Sequence, residues 1–421
     1  MKKLITTIVL FAGFVINVAA QDHRKADYAV KQFQKFYNTK QADSLFNLMS
    51  PRIKQLMPLE KVKEMVAQLH ERVGVFSGYE YMRQDGKMIY YRSLFSEGAS
   101  LVLIASIDSL DKLDVFRFVP DKREDSIIPE KGASEVTATN GNVILHGTLT
   151  MPESAGKVPV VLLIAGSGPT DRNGNNNMGM TTYIYRILAD SLRNAGIACV
   201  RYDKRGIGAS QAANINEADA RFEDMVGDAE VFIKMLNADS RFSGVYVIGH
   251  SEGSLVGMLA AQKENVKKYI SLAGISESAD KVLQVQVAGL GADVAQNAAV
   301  IMDSLKMGYD VRYVHPKLMT VFRPSIQPYM RSWFKYDPSK EIKKLKMPVM
   351  IIQGHKDMQV AEIHAEQLKK AQPSAQLLTF SSMNHVLRDV ANDDENGAAY
   401  HNATMPLTTG LTDAIIAFIR K

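Results

Sequence analysis

Apolar and polar positions divide this chain into stretches with different rhythms. Leu4 to Val18 is a largely apolar run behind Met1-Lys2-Lys3 and ahead of the small residues Ala19 and Ala20. Between Asp27 and Tyr37 the side chains Tyr28, Phe33, Phe36 and Tyr37 recur at near-helical spacing, and Leu45, Leu48 and Met49 begin a second helical stretch expected to end at Pro51. Pro58 opens a third, running to about Arg72. The runs that follow, Tyr79 to Tyr91, Ser93 to Phe95, Leu101 to Ile107 and Leu113 to Val119, are short, aromatic or β-branched, and split by Gly86 and Gly98; they predict an antiparallel sheet. Residues 21–120 therefore read as a small α+β domain, helices first. It shows no acid/base or ligand constellation, so its expected role is a scaffold or a homodimer contact. Pro120 to Ser134 is charged, proline-bounded and without a sustained apolar period, which places a linker at 121–134.

From Glu135 the pattern changes. Val143 to Thr150 and Val158 to Ala165 predict strands, the second nearly continuous in apolar residues, as in a sheet covered on both faces. Met180 to Asn194 predicts a helix, Ile197 to Tyr202 a strand, and Phe222 to Leu236 a helix with Met225, Ala229, Phe232, Ile233 and Leu236 on one side. The strand through Val245, Val247 and Ile248 breaks at Gly249-His250-Ser251-Glu252-Gly253 into a helical stretch, Leu255 to Lys263. Strands at Lys268 to Ala273, Pro348 to Gly354 and Gln376 to Phe380 follow, with helices at Ala361 to Ala371 and from about Thr408. Such alternation predicts an α/β domain at 135–421 with a mostly parallel sheet and right-handed crossovers. Residues 276–346 are too many for one crossover and read as a helical cap inserted over the active site.

Composition sharpens this picture. A chain of 421 residues, 46% hydrophobic, exceeds one ordinary core and can bury two. Lys+Arg 50 against Asp+Glu 45 leaves +5, but the charges are interspersed, and nothing reads as a nucleic-acid surface. Residues 1–20 have the basic start, short apolar core and small-residue end of a secretory signal, so export to the periplasm or medium is expected. That run is short for a membrane span, and no other stretch would serve, so no integral span is expected in the mature chain. Cys199, the lone cysteine, falls in a predicted strand and reads as buried packing.

The chemistry gathers at Gly249 to Gly253. A G-x-S-x-G turn between strand and helix lifts a serine, here Ser251, clear of the sheet, and its glycines prevent collisions with neighbouring strand and helix. The next backbone N–H, that of Glu252, points where an oxyanion would form. A serine hydroxyl needs a base, itself held by a carboxylate. Asp357 lies in the loop past the carboxyl end of the strand Pro348 to Gly354, and His385 follows the last strand by a short loop, both at the edge where open α/β sheets build their sites. Asp280 and Asp337 are alternative acids, both within the cap, and His401 is an alternative base. His250 and His355 read as turn packing. Gly166-Ser167-Gly168 leaves the strand expected beside the serine strand, so the Ser167 N–H is the second oxyanion donor. A phosphate loop is disfavoured by the lack of a Walker lysine and of G-x-G-x-x-G, and no H-E-x-x-H or Cys/His cluster supports a metal. No cofactor is expected.

Residues from about Glu135 to Lys421 resemble an α/β-hydrolase. Gly249 to Gly253, Asp357 and His385 are similar to its triad motifs in their chain order, and Arg201-Tyr202-Asp203-Lys204-Arg205-Gly206-Ile207-Gly208-Ala209-Ser210 is similar to a loop of serine hydrolases of this kind. Gly166-Ser167-Gly168-Pro169-Thr170-Asp171-Arg172 resembles more narrowly a group of bacterial carboxylesterases. The order of the first domain is similar to that of a domain of unknown function that precedes secreted bacterial α/β-hydrolases. One departure is Ala165, where many relatives carry histidine before the glycine, which bears on the oxyanion hole rather than on the triad. The resemblance implies hydrolysis of a small-molecule ester through an acyl-serine, with Ser251 as nucleophile, His385 as base then acid, and Asp357 orienting it. The cap residues Phe322, Tyr329, Trp333 and Phe334 suggest apolar acyl groups of short or medium length. A serine aminopeptidase-like enzyme is the second reading, with Glu252, Glu277 and Asp280 as candidate anchors for a substrate amine. A non-catalytic binding module on the same fold is the third.

Overall fold

The computed structural model describes residues 23–96, 100–120, 130–176, 180–210 and 216–421. The expected export segment at 1–20 lies outside the described residues, as do Gly98 and most of the expected linker. The chain forms two compact units, Met1–Ile128 and Pro129–Lys421.

In the first unit, α1 (His23–Asn38), α2 (Ala42–Leu48), α3 (Pro51–Leu56) and α4 (Leu59–Val73) precede β1 (Phe76–Asp85), β2 (Met88–Phe95), β3 (Ser100–Ile107) and β4 (Leu113–Pro120). The strands pair antiparallel in the order β1-β2-β3-β4. Pro51 starts a helix as well as following one. Its ring presets φ for a first helical position whose N–H would lack a partner anyway, and the Ser50 hydroxyl accepts from the Ile53 N–H at 3.2 Å. Phe33, Tyr37, Phe76 and Phe95 close the core as a ring cluster, with Phe76 and Phe95 stacked at 5.0 Å between centroids.

The second unit is built on β5 (Ala133–Asn140), β6 (Val143–Thr150), β7 (Val158–Ile164), β8 (Ala198–Tyr202), β9 (Phe242–His250), β10 (Lys268–Leu272), β11 (Val349–Gly354) and β12 (Gln376–Phe380). The sheet order is β12-β11-β10-β9-β7-β8-β6-β5; β5 and β6 run antiparallel to their neighbours and the rest are parallel. This is the α/β-hydrolase fold expected from the sequence. Its helices are α5 (Ile184–Asn194), α6 (Phe222–Ala238), α7 (Glu252–Lys263), then α8 (Ala279–Ala288), α9 (Ala292–Lys306), α10 (Met319–Phe322), α11 (Gln327–Trp333) and α12 (Pro338–Ile342) between β10 and β11, followed by α13 (Ile363–Ala371), α14 (Asp393–Ala399) and α15 (Leu411–Arg420).

Along β7, Val160, Leu162 and Ile164 pack on the side of α6, α7 and the cap, while Val161 and Leu163 pack on the side of α5 and α15. Two covered faces explain why its apolar run is continuous. Cys199 is fully buried on the second face, where burial pushes its thiol upward and makes it packing rather than chemistry.

Three elements depart from the sequence pattern. β5 is an edge strand in which Ala138 alone is buried, so it carries too weak an alternation to read. α5 begins later than Met180, because Tyr183 adopts a left-handed φ of 52° and its N–H bonds the Asn175 side chain at 3.0 Å. α14 has almost no apolar residues and is started by Asn392, whose side chain caps the Glu395 N–H at 3.0 Å.

Candidate active site

β9 ends at His250, α7 begins at Glu252, and Ser251 between them has φ 54° and ψ −121°, a backbone state that costs on the order of 1–3 kcal/mol for a non-glycine residue. The surrounding turn holds it there. A Cβ on Gly249 would lie 2.2 Å from the Gly253 carbonyl oxygen, and one on Gly253 would lie 2.4 Å from that of Ile164 and 2.5 Å from that of Ala165. Backbone meets backbone, so neither side can yield. Gly253→Ala should therefore lower stability by roughly 1–3 kcal/mol or more through overpacking against β7, read as a fall in the thermal midpoint.

The loop after β11 carries Asp357, whose side chain is wholly buried. Its Oδ1 accepts the Gln359 and Val360 N–H groups, each at 2.8 Å, and its Oδ2 accepts His385 Nδ1 at 2.8 Å and Gln353 Nε2 at 3.1 Å. Burial works against its charge, but the adjoining His385 and the two backbone donors outweigh it and hold the carboxyl below the usual range. An ionised carboxylate only accepts, so Nδ1 of His385 carries a proton and Nε2 is left to take one. The Ser251 hydroxyl makes no hydrogen bond to another described residue; Ser251 and His385 meet as walls of one small pocket, with Gly166 and Ser167. Its remaining walls include Met180, Ile184, Val386 and Tyr400, and its volume is about 70 Å³.

The two expected backbone donors, of Glu252 and Ser167, flank Ser251 from α7 and from the loop after β7. The Glu252 N–H opens α7, where the helix leaves it without an intrahelical partner and the dipole favours negative charge. The Ser167 N–H follows Gly166, and a Cβ on Gly166 would lie 3.1 Å from Ser251 Cβ, so the loop runs directly against the serine. Ala165 is buried just before it, and the Gly166 N–H that follows meets the Tyr185 hydroxyl, itself bonded to His250.

His250 takes the packing place expected of it; Tyr185 and Lys204 are supports that sequence reading missed, and Tyr329, expected to face substrate, is a third. His250 Nε2 faces the His385 carbonyl oxygen at 2.9 Å and must donate to it; Nδ1 then accepts from the Tyr185 hydroxyl at 2.9 Å, and that hydroxyl accepts the Gly166 N–H at 3.1 Å. Burial and the neighbouring His385 push the His250 pKa down to about 3, which keeps this chain of donors in one direction. The buried Lys204 ammonium donates to the Gly166 carbonyl, and burial lowers its pKa despite the Glu252 carboxylate nearby. Asp203 accepts the Arg172 N–H at 2.8 Å and pairs with its guanidinium at 2.7 Å, so the two motifs Gly166 to Arg172 and Arg201 to Ser210 interlock. The Glu252 carboxylate is buried and accepts from Tyr329 of the cap at 2.6 Å.

Other sequence candidates fall elsewhere. Asp280 pairs with Lys306 at 3.2 Å, Asp337 caps α12, His355 pairs with Glu362 at 2.9 Å, and His401 is exposed outside the pocket wall. The cap aromatics Phe322, Trp333 and Phe334 are buried in the core, and Tyr329 is spent on Glu252; among the described residues none of the four walls the pocket. Phe222 stacks on Trp333 at 5.8 Å, consuming the surface expected for substrate.

Residues 177–329 match the family described as serine aminopeptidase, S33; the matched stretch includes Ser251 and ends before Asp357 and His385. Esterase EstD of Thermotoga maritima is 24% identical over 402 residues, covering 91% of this chain and 92% of its own. Among solved structures, Est1E from Butyrivibrio proteoclasticus, with ferulic acid bound, is similar at 18% identity and a TM-score of 0.46 over 68% of this chain and 100% of its own. The esterase Pf2001 of Pyrococcus furiosus is similar at 15% identity and a TM-score of 0.41, over 60% of this chain and 83% of its own.

Proposed function

We propose that this protein is an esterase-type serine hydrolase that cleaves carboxylic esters of short acyl chains. The observation that carries the reading is the Asp357 to His385 hydrogen bond of 2.8 Å at a pocket whose wall also holds Ser251 in its strained turn. Ser251 Oγ attacks the ester carbonyl while His385 Nε2 takes its proton, and the Asp357 carboxylate stabilises the resulting imidazolium. The Glu252 and Ser167 N–H groups accept the charge that develops on the carbonyl oxygen. His385 then returns the proton to the departing alkoxide, and a water repeats the sequence on the acyl-serine. The esterase EstD likeness supports the ester class.

The pocket favours small groups. By a measure in which roughly 10–15 Å³ holds one water, about 70 Å³ holds a handful. The kcat/KM for p-nitrophenyl esters is therefore expected to fall from butyrate to octanoate by about tenfold if one of the four added methylenes is unaccommodated and by about 10³-fold or more if all are, each costing about 1–3 kcal/mol. A rise with chain length would remove this part of the reading. Mass spectrometry after treatment with a fluorophosphonate tests the chemistry itself, and an unlabelled Ser251 would sink it.

The peptidase reading draws on the serine aminopeptidase, S33 match. It needs a carboxylate to hold the substrate amine, yet among the described residues no Asp or Glu walls the pocket, Glu252 is engaged by Tyr329, and Glu277 pairs with Lys281. Aminoacyl-naphthylamide turnover above that of esters would reverse the preference.

A further inference from the structure

We infer that Lys204 is a positioning residue for the reaction, acting with Tyr185 as a two-sided clamp on Gly166 that aims the Ser167 N–H at the oxyanion; this rests on the esterase reading above. Gly166 is held at both of its backbone polar groups by buried side chains. Its N–H donates to the Tyr185 hydroxyl at 3.1 Å, and its carbonyl accepts from the Lys204 ammonium. The first bond orients the peptide unit before Gly166 and the second the unit after it, so both torsions of a glycine that could otherwise turn freely are set from outside.

The geometry of a trans peptide makes the second bond the decisive one. Among the described residues no peptide bond is cis, so the Gly166 carbonyl and the Ser167 N–H point in opposite directions across one plane. Drawing the oxygen toward Lys204 turns the N–H away from Lys204. Gly166 lies against Ser251, as its 3.1 Å virtual contact shows, so the direction of that N–H decides whether the hole has one donor or two. The neighbouring residue completes the hold. Asp203 fastens Arg172 at the far end of the same loop, so consecutive residues after β8 grip its two ends. A buried ammonium is a costly way to fasten a loop and gains its worth from aligning a charge-bearing transition state.

The test compares wild type, Lys204→Met and Tyr185→Phe on p-nitrophenyl acetate, with phenylboronic acid as the probe of tetrahedral-adduct binding. A misaimed donor is expected to lower kcat by about 10–100-fold, approaching the roughly 10²–10³-fold loss when one oxyanion donor is removed. KM should stay within about threefold, because the interaction belongs to the transition state, and boronate affinity should fall in parallel with kcat. Folded Lys204→Met with kcat within about threefold of wild type, or with its loss in KM alone, overturns the inference. Should Lys204→Met not fold, Tyr185→Phe, which deletes one hydroxyl, decides by the same criteria. Wild type that is labelled at Ser251 by a fluorophosphonate alongside unimpaired variants overturns the clamp and leaves the esterase reading standing. Wild type neither labelled nor active overturns both.

Discussion

Ser251→Ala is expected to lower kcat for p-nitrophenyl acetate by about 10⁵-fold, toward the roughly 10⁶-fold seen when a serine nucleophile is deleted, while KM changes little. The substitution removes the atom that forms the acyl bond and leaves its surroundings in place. The oxyanion donors of Glu252 and Ser167 remain, so a residual rate above that of water is expected. Alanine also keeps the positive φ of 54° under strain, and the turn is held by the Gly249 and Gly253 contacts, not by the hydroxyl, which bonds no described residue. Activity should therefore vanish with the thermal midpoint nearly unmoved. Turnover equal to wild type would end the acyl-serine reading.

Asp357→Asn is expected to cost about 10⁴-fold in kcat, and the hydrogen bonds say why. Oδ1 receives two backbone N–H groups, so an asparagine would turn its carbonyl oxygen to them and its amide toward His385. The imidazole must then accept at Nδ1 and carry its proton at Nε2, the nitrogen that has to take one from Ser251. A pH effect on stability follows as well. The Asp357 carboxyl has a lower pKa folded than unfolded, so its stabilisation is fully present above the ordinary carboxylate value and is lost as pH falls through the folded one. Between about pH 5 and 3, bracketing the usual value near 3.9, wild type should lose more stability than Asp357→Asn. Parallel denaturation curves for the two would contradict the assignment of that carboxylate.

Much of the site was legible because its constraints are local or ordinal. Gly249 and Gly253 are demanded by a turn five residues long, and the collision distances there are the physical content of the motif. Asp357 and His385 were legible for another reason: a parallel strand delivers the residue after its carboxyl end to one edge of the sheet, so chain order alone places them. The supports were not legible. Lys204 bonds a carbonyl 38 residues away, and Tyr185 bonds His250 65 residues away. Neither residue type nor spacing marks such a pairing.

The cap shows the opposite failure. Phe322, Trp333 and Phe334 are apolar as read, yet their surface is spent on the core and on Phe222. The pocket is walled instead by Met180 and Ile184, from the loop and helix start after β7, and by Val386 and Tyr400 from after β12.

Read alone, the amino-acid sequence determined the sheet, the strained serine turn, and the order in which Asp357 and His385 reach the sheet edge, because periodicity and steric demand act between near neighbours. Tertiary structure alone decided which buried side chains hold Gly166, which tautomer His250 adopts, and which apolar residues wall the pocket. Those choices depend on partners brought together across the fold, and hydrogen bonds and packing are satisfied in space, without regard to distance along the chain.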